Sequence, residues 1–312
     1  MVYNRVANRL TAQTLEKDGR PMPEYETYDP KKHGRDTPQE IFGPILKIDR
    51  YEDGKIFVIT MNRPHRMNSL GEGMMGKITD AFIEFRDDPD ARVAIITGAG
   101  ERAFCAGADL IEMAEGRSQQ PPSGDGETRR APSGMGAMPW PLAERHNVWK
   151  PTIAAINGFA VAGGFMVAMQ CDIRIMAEHA RVGIAEVRWN MPGANWMAPI
   201  TRQMTLGSAL ELILWGDTQY DAKRCYEIGW AQRVVPQERL METAMEYAQR
   251  ALDMAPRAVR NNKQVIYRGA YMDPIQGDVF GNALEQNLRG MQDSIEGPSA
   301  FSEKRRPNFT DS

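Results

Sequence analysis

Two short stretches of the chain join glycine to the start of a helix: AFCAGADL (103–110) and AVAGGF (160–165). Each follows a short apolar run, passes through glycine and opens a helical segment. Glycine at such a place lets backbone come close to a ligand or to another turn. The first turn of a helix carries amides without internal partners, together with the positive end of the helix dipole. Two such amides converging on one point would bind an oxygen that gains negative charge, forming an oxyanion hole. Taken singly, each stretch reads better as an ordinary tight strand-to-helix turn.

Such turns need strands before them and helices after them. In ILKIDRYEDGKIFVITMN two alternating apolar runs flank Asp53–Gly54, which predicts a hairpin. SLGEGMMGKITDAFIEFRDD has helical spacing, and VAIITG and PTIAAI read as buried strands. DLIEMAEG predicts a short helix, and DIRIMAE and ARVGIAE are strand-like. From about residue 195 helices dominate, with segments expected at 199–215, 221–228, 237–255, 256–270 and 277–291. Strands alternating with helices, then a helical tail, describe an α/β body with a helical appendage. Residues 1–42 read as a polar, proline-containing arm that packs on the outside of the fold or on a neighbour. Residues 43–255 form the core and 256–312 the C-terminal helical region. The Gly-, Pro- and Ser-rich stretch 115–140 is too long for a simple connector and is a candidate lid.

A chain of 312 residues suffices for one large domain or two modest ones. Its net charge of −3 shows no basic excess, so nucleic acid is a poor default partner. No apolar run approaches the roughly 18–20 residues that span a membrane. The N-terminal stretch lacks an apolar leader core and carries acidic residues, which leaves the cytoplasm as the simplest compartment. The cysteines (Cys105, Cys171 and Cys225) are widely spaced with no CxxC, suggesting neither a disulfide scaffold nor a zinc site. Nothing in the sequence requires a metal, a nicotinamide or a flavin.

TMNRPHRMNSL, AIITGAGERAFCAGADLIEM, KPTIAAINGFAVAGGFMVAMQCDIRI and AFSEKRRPNF resemble, in order, the signatures of the enoyl-CoA hydratase/isomerase (crotonase) superfamily. The resemblance covers about residues 44–309. It implies an α/β fold of the ClpP/crotonase kind, a spiral of repeated ββα units with a helical C-terminal trimerisation region, assembled as homotrimer or hexamer. It implies a coenzyme A thioester as substrate and no permanently bound cofactor. By position, the amides of Ala108 and Gly163 would hold the thioester oxygen. Arg63 and Arg66 match the segment that wraps the nucleotide of CoA, and arginine suits phosphate oxygens, although a solvated loop charge explains either equally well. Phe301 and Lys304 match a C-terminal segment that reaches the CoA site of its own or a neighbouring subunit; plain packing is the alternative for Phe301. Ala106 and Asp109 fall in the same CoA-binding group, though Asp109 reads better as a helix cap.

Enolate chemistry also needs a proton carrier. Hydratases of the family use two glutamates. Glu186, in GIAEVRWNMPGANW, matches the second, whereas Met166 stands where the first belongs. Met166 cannot move protons, so it shapes the pocket wall or packs the core. The sequence therefore predicts one carboxylate that hydrates an unsaturated acyl-CoA. Δ3,Δ2-isomerisation, hydrolysis or lyase chemistry on a ring-derived or aromatic acyl-CoA, and a non-catalytic CoA- or partner-binding role are the alternatives. Glu144 and His146, in PLAERHNVWKP, are auxiliary acid–base candidates, or simply a polar helix facing water. Trp189, Asn190 and Trp196, with Asn195, replace smaller groups after Glu186, and Pro192–Gly193 come one residue early. Feruloyl-CoA hydratase-lyases carry a tryptophan in a similar place. These rings either restrict the acyl cavity or pack under the C-terminal helices.

Overall fold

The computed structural model describes residues 25–118, 142–191 and 193–312. The first 24 residues of the arm, residues 119–140 of the expected lid and Pro192 lie outside the described residues, as does the side chain of Asn195.

The strands, in chain order, are β1 (Leu46–Tyr51), β2 (Ile56–Met61), β3 (Val93–Gly98), β4 (Ala103–Cys105), β5 (Thr152–Ile156), β6 (Phe159–Val161), β7 (Ile173–Ala177), β8 (Arg181–Gly183), β9 (Gln219–Asp221) and β10 (Arg233–Val235). They make a six-stranded sheet of order β1-β2-β3-β5-β7-β10 and a four-stranded sheet of order β4-β6-β8-β9. β1 and β2 pair antiparallel from Leu46↔Met61 to Tyr51↔Ile56, closed by a turn in which Glu52, Asp53 and Gly54 all have positive φ. From β2 onward the large sheet is parallel. The uninterrupted apolar runs IFVITM, VAIITG and TIAAI suit this sheet, because nearly every residue of β2, β3 and β5 is buried whichever face it points to.

The helix Met74–Asp87 lies on β1 and β2 and buries Met74, Ile78, Phe82 and Phe85 at helical spacing. The helix Leu240–Leu252 lies on β3, β5 and β7 through Leu240, Ala244 and Ala248. Each large side chain so buried contributes about 1.5–3 kcal/mol.

The small sheet arises from a repeated turn. A strand of the large sheet is followed at once by a short strand of the small one, then by a helical turn: β3–β4–(Leu110–Ser118), β5–β6–(Gly163–Met169) and β7–β8–(Glu186–Trp189). These are the repeated ββα units of the sequence reading.

The later helices differ in detail from that reading. The segment expected at 199–215 breaks at Thr205, whose hydroxyl caps the helix Leu206–Leu214 by accepting from the Ser208 amide. The one expected at 277–291 starts earlier, at Pro274, because Asp273 accepts from the Ile275 and Gln276 amides. A further helix, Gln292–Ser302, accommodates Pro298 and was not anticipated. The helix Pro256–Gly269 is tied to the body through Asp172, which pairs with Lys263 Nζ at 2.8 Å and accepts from Tyr267 Oη at 2.8 Å. Among the described residues no helix is long and apolar enough to cross a membrane.

Candidate active site

β4, β6 and β8 are parallel neighbours, with Cys105 opposite Ala160 and Val161 opposite Gly183. Their C-terminal ends therefore share one edge of the small sheet. Ala108, Gly163 and Glu186 each follow their strand within three residues, so the topology gathers them on that edge. The two glycine turns are in direct contact. A Cβ placed on Gly164 would lie 1.9 Å from the Cys105 carbonyl oxygen, and one on Gly107 would lie 3.0 Å from the Gly163 nitrogen. A Cβ on Gly163 would be 3.9 Å from the Ala108 nitrogen. Ala162, which precedes the helix Gly163–Met169, is held at φ +54 and donates its amide to the Gly183 carbonyl at 2.8 Å. A non-glycine residue at positive φ persists only where its surroundings enforce it. Neither the Ala108 nor the Gly163 amide donates a hydrogen bond among the described residues. Two free amides thus lie side by side. The Cys105 thiol is no competing nucleophile: it is fully buried, and burial pushes its pKa up to about 12.

The loop 62–70 holds this arrangement from behind. Leu70 donates to Gly107 O at 2.8 Å and Ala106 donates to Met67 O at 3.0 Å. Buried Asn68 donates to the Ala99 and Ala103 carbonyls and accepts from the Arg63 amide. Arg63 differs from both sequence readings. Its side chain is only 2 % exposed, so it neither faces solvent nor offers a face to phosphate; it donates to Ser69, Glu72 and Asp109 instead. Arg66 grips Asp109 with two nitrogens, Nη2 reaching Oδ1 at 2.9 Å and Nε reaching Oδ2 at 3.1 Å. Asp109 also caps the following helix by accepting from the Glu112 amide. Burial pushes the Asp109 carboxyl up, but hydrogen bonds from Arg66, Glu112 and Ser69 outweigh it and hold it below the ordinary carboxylate range. Asp109→Ala would leave Arg63 buried with much of its countercharge gone. We expect a loss of about 3 kcal/mol in urea unfolding, with Asp109→Asn falling between the two. Equal stability of wild type and Asp109→Ala would show that the pair is electrostatically idle.

Glu186 opens a 3-10 turn, Glu186–Trp189, and is buried. It sits against Gly193 and Trp196: a Cβ on Gly193 would lie 3.1 Å from Glu186 Cγ and 3.4 Å from Trp196 Nε1. Its Oε2 is buried with no hydrogen-bond partner. Burial raises its pKa, opposed in part by its own amide and that of Ala185. A carboxyl so placed holds its proton more readily than a solvated one, which suits an acid–base role. The acidic limb of kcat/KM should therefore have its midpoint above 4.5, the ordinary value of this group. A pH–rate profile checks this, and a midpoint at or below that value would assign the limb to another group. The stability sign is opposite. A raised carboxyl pKa favours the fold at low pH, and that stabilisation is lost as pH rises through the folded-state value.

The remaining predicted residues are dispersed. Met166 is fully buried on the first turn of its helix, in contact with the core. Trp196 is buried beside Glu186, whereas Trp189 is 62 % exposed and Asn190 also faces out, so neither walls an acyl cavity within this chain. Glu144 Oε2 and His146 Nε2 are buried without partners on the short helix Leu142–His146, and burial lowers the His146 pKa. Ala106 lines a cleft beside Ala108. Phe301 is 88 % exposed, which sets aside plain packing against its own chain, and Lys304 is exposed as well.

Sequence reasoning passed over Asn68, Ser69 and Asn157. Asn157 donates to Gly100 O and Ala103 O, locking the β3–β4 turn to the end of β5. The available signal was a polar amide inside or just after an apolar run, where a buried Asn must be satisfied by backbone.

Residues 52–312 match the profile of a family described as Enoyl-CoA hydratase/isomerase. The chain is 34% identical over 252 residues to an (E)-benzylidenesuccinyl-CoA hydratase of Thauera aromatica, covering 80% of this chain and 94% of that protein. It is 34% identical to a carnitinyl-CoA dehydratase of Citrobacter koseri, with 81% and 94% covered. Among solved structures it is similar to an enoyl-CoA hydratase of Bacillus anthracis, with TM-score 0.75 at 30% identity, covering 86% of this chain and all of that one.

Proposed function

The chain belongs to the enoyl-CoA hydratase/isomerase family, and from that premise we propose that it adds water across the double bond of an unsaturated acyl-CoA, or removes it in reverse, with Glu186 as the one acid–base carboxylate. The observation that carries this reading is a buried carboxylate oxygen without a partner, on the same sheet edge as two free, adjacent amides. The Ala108 and Gly163 amides accept the thioester oxygen. As the Glu186 carboxylate takes a proton from water, the water oxygen bonds to C3. The C2–C3 π electrons move toward C1 and leave an enolate whose oxygen the two amides stabilise. Glu186, now protonated, returns that proton to C2, so a single group serves both steps.

Buried, apolar Met166 supports a second reading. Without a second carboxylate to hold water, Glu186 could carry a proton from C2 to C4 and shift the double bond instead. Incubation of 2-enoyl- and 3-enoyl-CoA esters in heavy water, read by mass spectrometry, separates the two. Gain of one molecule of heavy water supports hydration; bond migration without it supports the isomerase; neither, across a broad panel, overturns both. One relative named above is a benzylidenesuccinyl-CoA hydratase, and Trp196 near Glu186 favours a substrate with a flat group next to the reacting carbons. The proposal includes assembly into a trimer or hexamer in the cytoplasm. Supporting the assembly are apolar side chains left open on the C-terminal helices, among them Ile266, Ile275, Val279 and Phe301.

A further inference from the structure

A cleft of about 450 Å³ adjoins Ala108, and one of its walls comes from outside the matched family region. Tyr28, His33 and Arg35 face Arg66, Arg102 and Leu110 across it. The N-terminal wall is firmly seated. Phe42 is 1 % exposed and stacks on His65 with ring centroids 5.2 Å apart, and it meets the His33 ring edge-on at 5.1 Å. Gln39 Nε2 donates to Gly43 O and Asn62 O, and Glu26 closes the segment by donating its amide to Ile41 O. Arg102 Nη1 donates to Tyr28 Oη at 3.1 Å, a direct tie from the body to this wall.

The cations of the cleft are unequal. Arg66 is neutralised by Asp109. Arg35 and Arg102 have no carboxylate partner among the described residues, so two guanidinium groups face the cleft with their charge unmatched. Guanidinium groups held in that way suit phosphate oxygens, which they grip with paired donors. A thioester whose oxygen rests on Ala108 must lead the rest of its CoA away from that point, and this cleft begins there.

We propose that the N-terminal segment 25–42 forms a nucleotide-phosphate subsite, in which Arg35, with Arg102, binds the phosphates of the CoA moiety and sets the preference for CoA over unphosphorylated thioesters. The inference rests on the acyl-CoA reading above. Anchoring of the segment through Phe42 makes the subsite preformed, so little ordering is required on binding.

The test compares one acyl group carried on CoA and on pantetheine, in wild type, Arg35→Ala and Arg35→Lys, alongside calorimetric titration with CoA. Arg35 is exposed, and circular dichroism verifies that the variants are folded. We expect Arg35→Ala to lower the CoA-to-pantetheine ratio of kcat/KM about tenfold, mainly through KM, and to weaken CoA binding to the same extent. Arg35→Lys should recover part of both losses. A ratio and a CoA affinity within twofold of wild type in Arg35→Ala would overturn the subsite while leaving the enzymatic reading in place. A wild-type protein that neither binds CoA nor turns over any acyl-CoA would overturn the functional reading itself, and the subsite with it.

Discussion

Glu186→Gln is expected to lower kcat about a thousandfold while acyl-CoA binding stays within a few-fold of wild type. Positioned acid–base groups are typically worth 10²–10⁴ in rate, and one carboxylate here carries both proton transfers of the proposed cycle. The amide keeps the shape of the carboxyl and its contacts with Gly193 and Trp196, so the pocket is preserved. The same substitution should stabilise the fold above neutral pH, because it removes a buried charge that has no cation to answer it. Loss of turnover with a gain in melting temperature is a combination that simple misfolding cannot produce. A fall of less than tenfold would move the proton elsewhere. Glu144 and His146, whose outer polar atoms are also buried without partners, are then the groups to substitute next.

Gly164→Ala is expected to be the most damaging glycine-to-alanine change among the described residues. Its Cβ would lie 1.9 Å from the Cys105 carbonyl oxygen and 3.0 Å from Cys105 Cβ, and the first of these is backbone that cannot rotate aside. The two turns must separate, and the Ala108 amide moves with Cys105. Loss of one oxyanion donor costs about 2.7–4 kcal/mol of transition-state stabilisation, so kcat should fall at least a hundredfold. The strain should add about 3 kcal/mol of destabilisation, read by urea unfolding. Gly163→Ala provides the contrast. Its Cβ would be tight only against the tip of Leu70, at 2.7 Å, which a rotamer change can relieve; the backbone atoms near it, Gly107 Cα at 3.4 Å and Ala108 N at 3.9 Å, are at ordinary contact distance. Comparable stability losses in the two variants would show that the turns are not packed as tightly as described.

Much of this site was legible before the fold was known. Glycine turns after short apolar runs are local features and visible in a linear reading, but their oxyanion reading came from the family resemblance of the motifs that hold them. The long strands β2, β3 and β5 were visible as uninterrupted apolar runs, whereas their order in the sheet and the short strands β9 and β10 were not; Met166 in place of a second carboxylate was visible against the family pattern. Loop 62–70 was the hardest to read. Arginines in a Pro- and Asn-containing stretch look like solvent-facing phosphate ligands, yet Arg63 is interred by an acid 46 residues away in sequence. Trp189 and Trp196 are equally hydrophobic and close in sequence, but one is buried beside Glu186 and the other stands in solvent. Trp189 ends the 3-10 turn, Asn190 follows at positive φ, and Trp196 sits in the next short helix, Ala194–Met197; no periodicity announces such a turn.

The sequence by itself determined an alternation of apolar strands with helices and two glycine turns that open helices; the resemblance of its motifs to the family supplied the ββα framework and the expected roles of Ala108, Gly163 and Glu186. Hydrophobic periodicity and glycine placement act over a few residues, so a linear reading captures them. Only the tertiary structure decided which charges are spent on each other. Asp109 consumes Arg66 and helps to bury Arg63, whereas Arg35 and Arg102 line the cleft with no carboxylate partner among the described residues. Ion pairing depends on distance in space, falling off over a few ångströms, and chain separation carries almost no information about it.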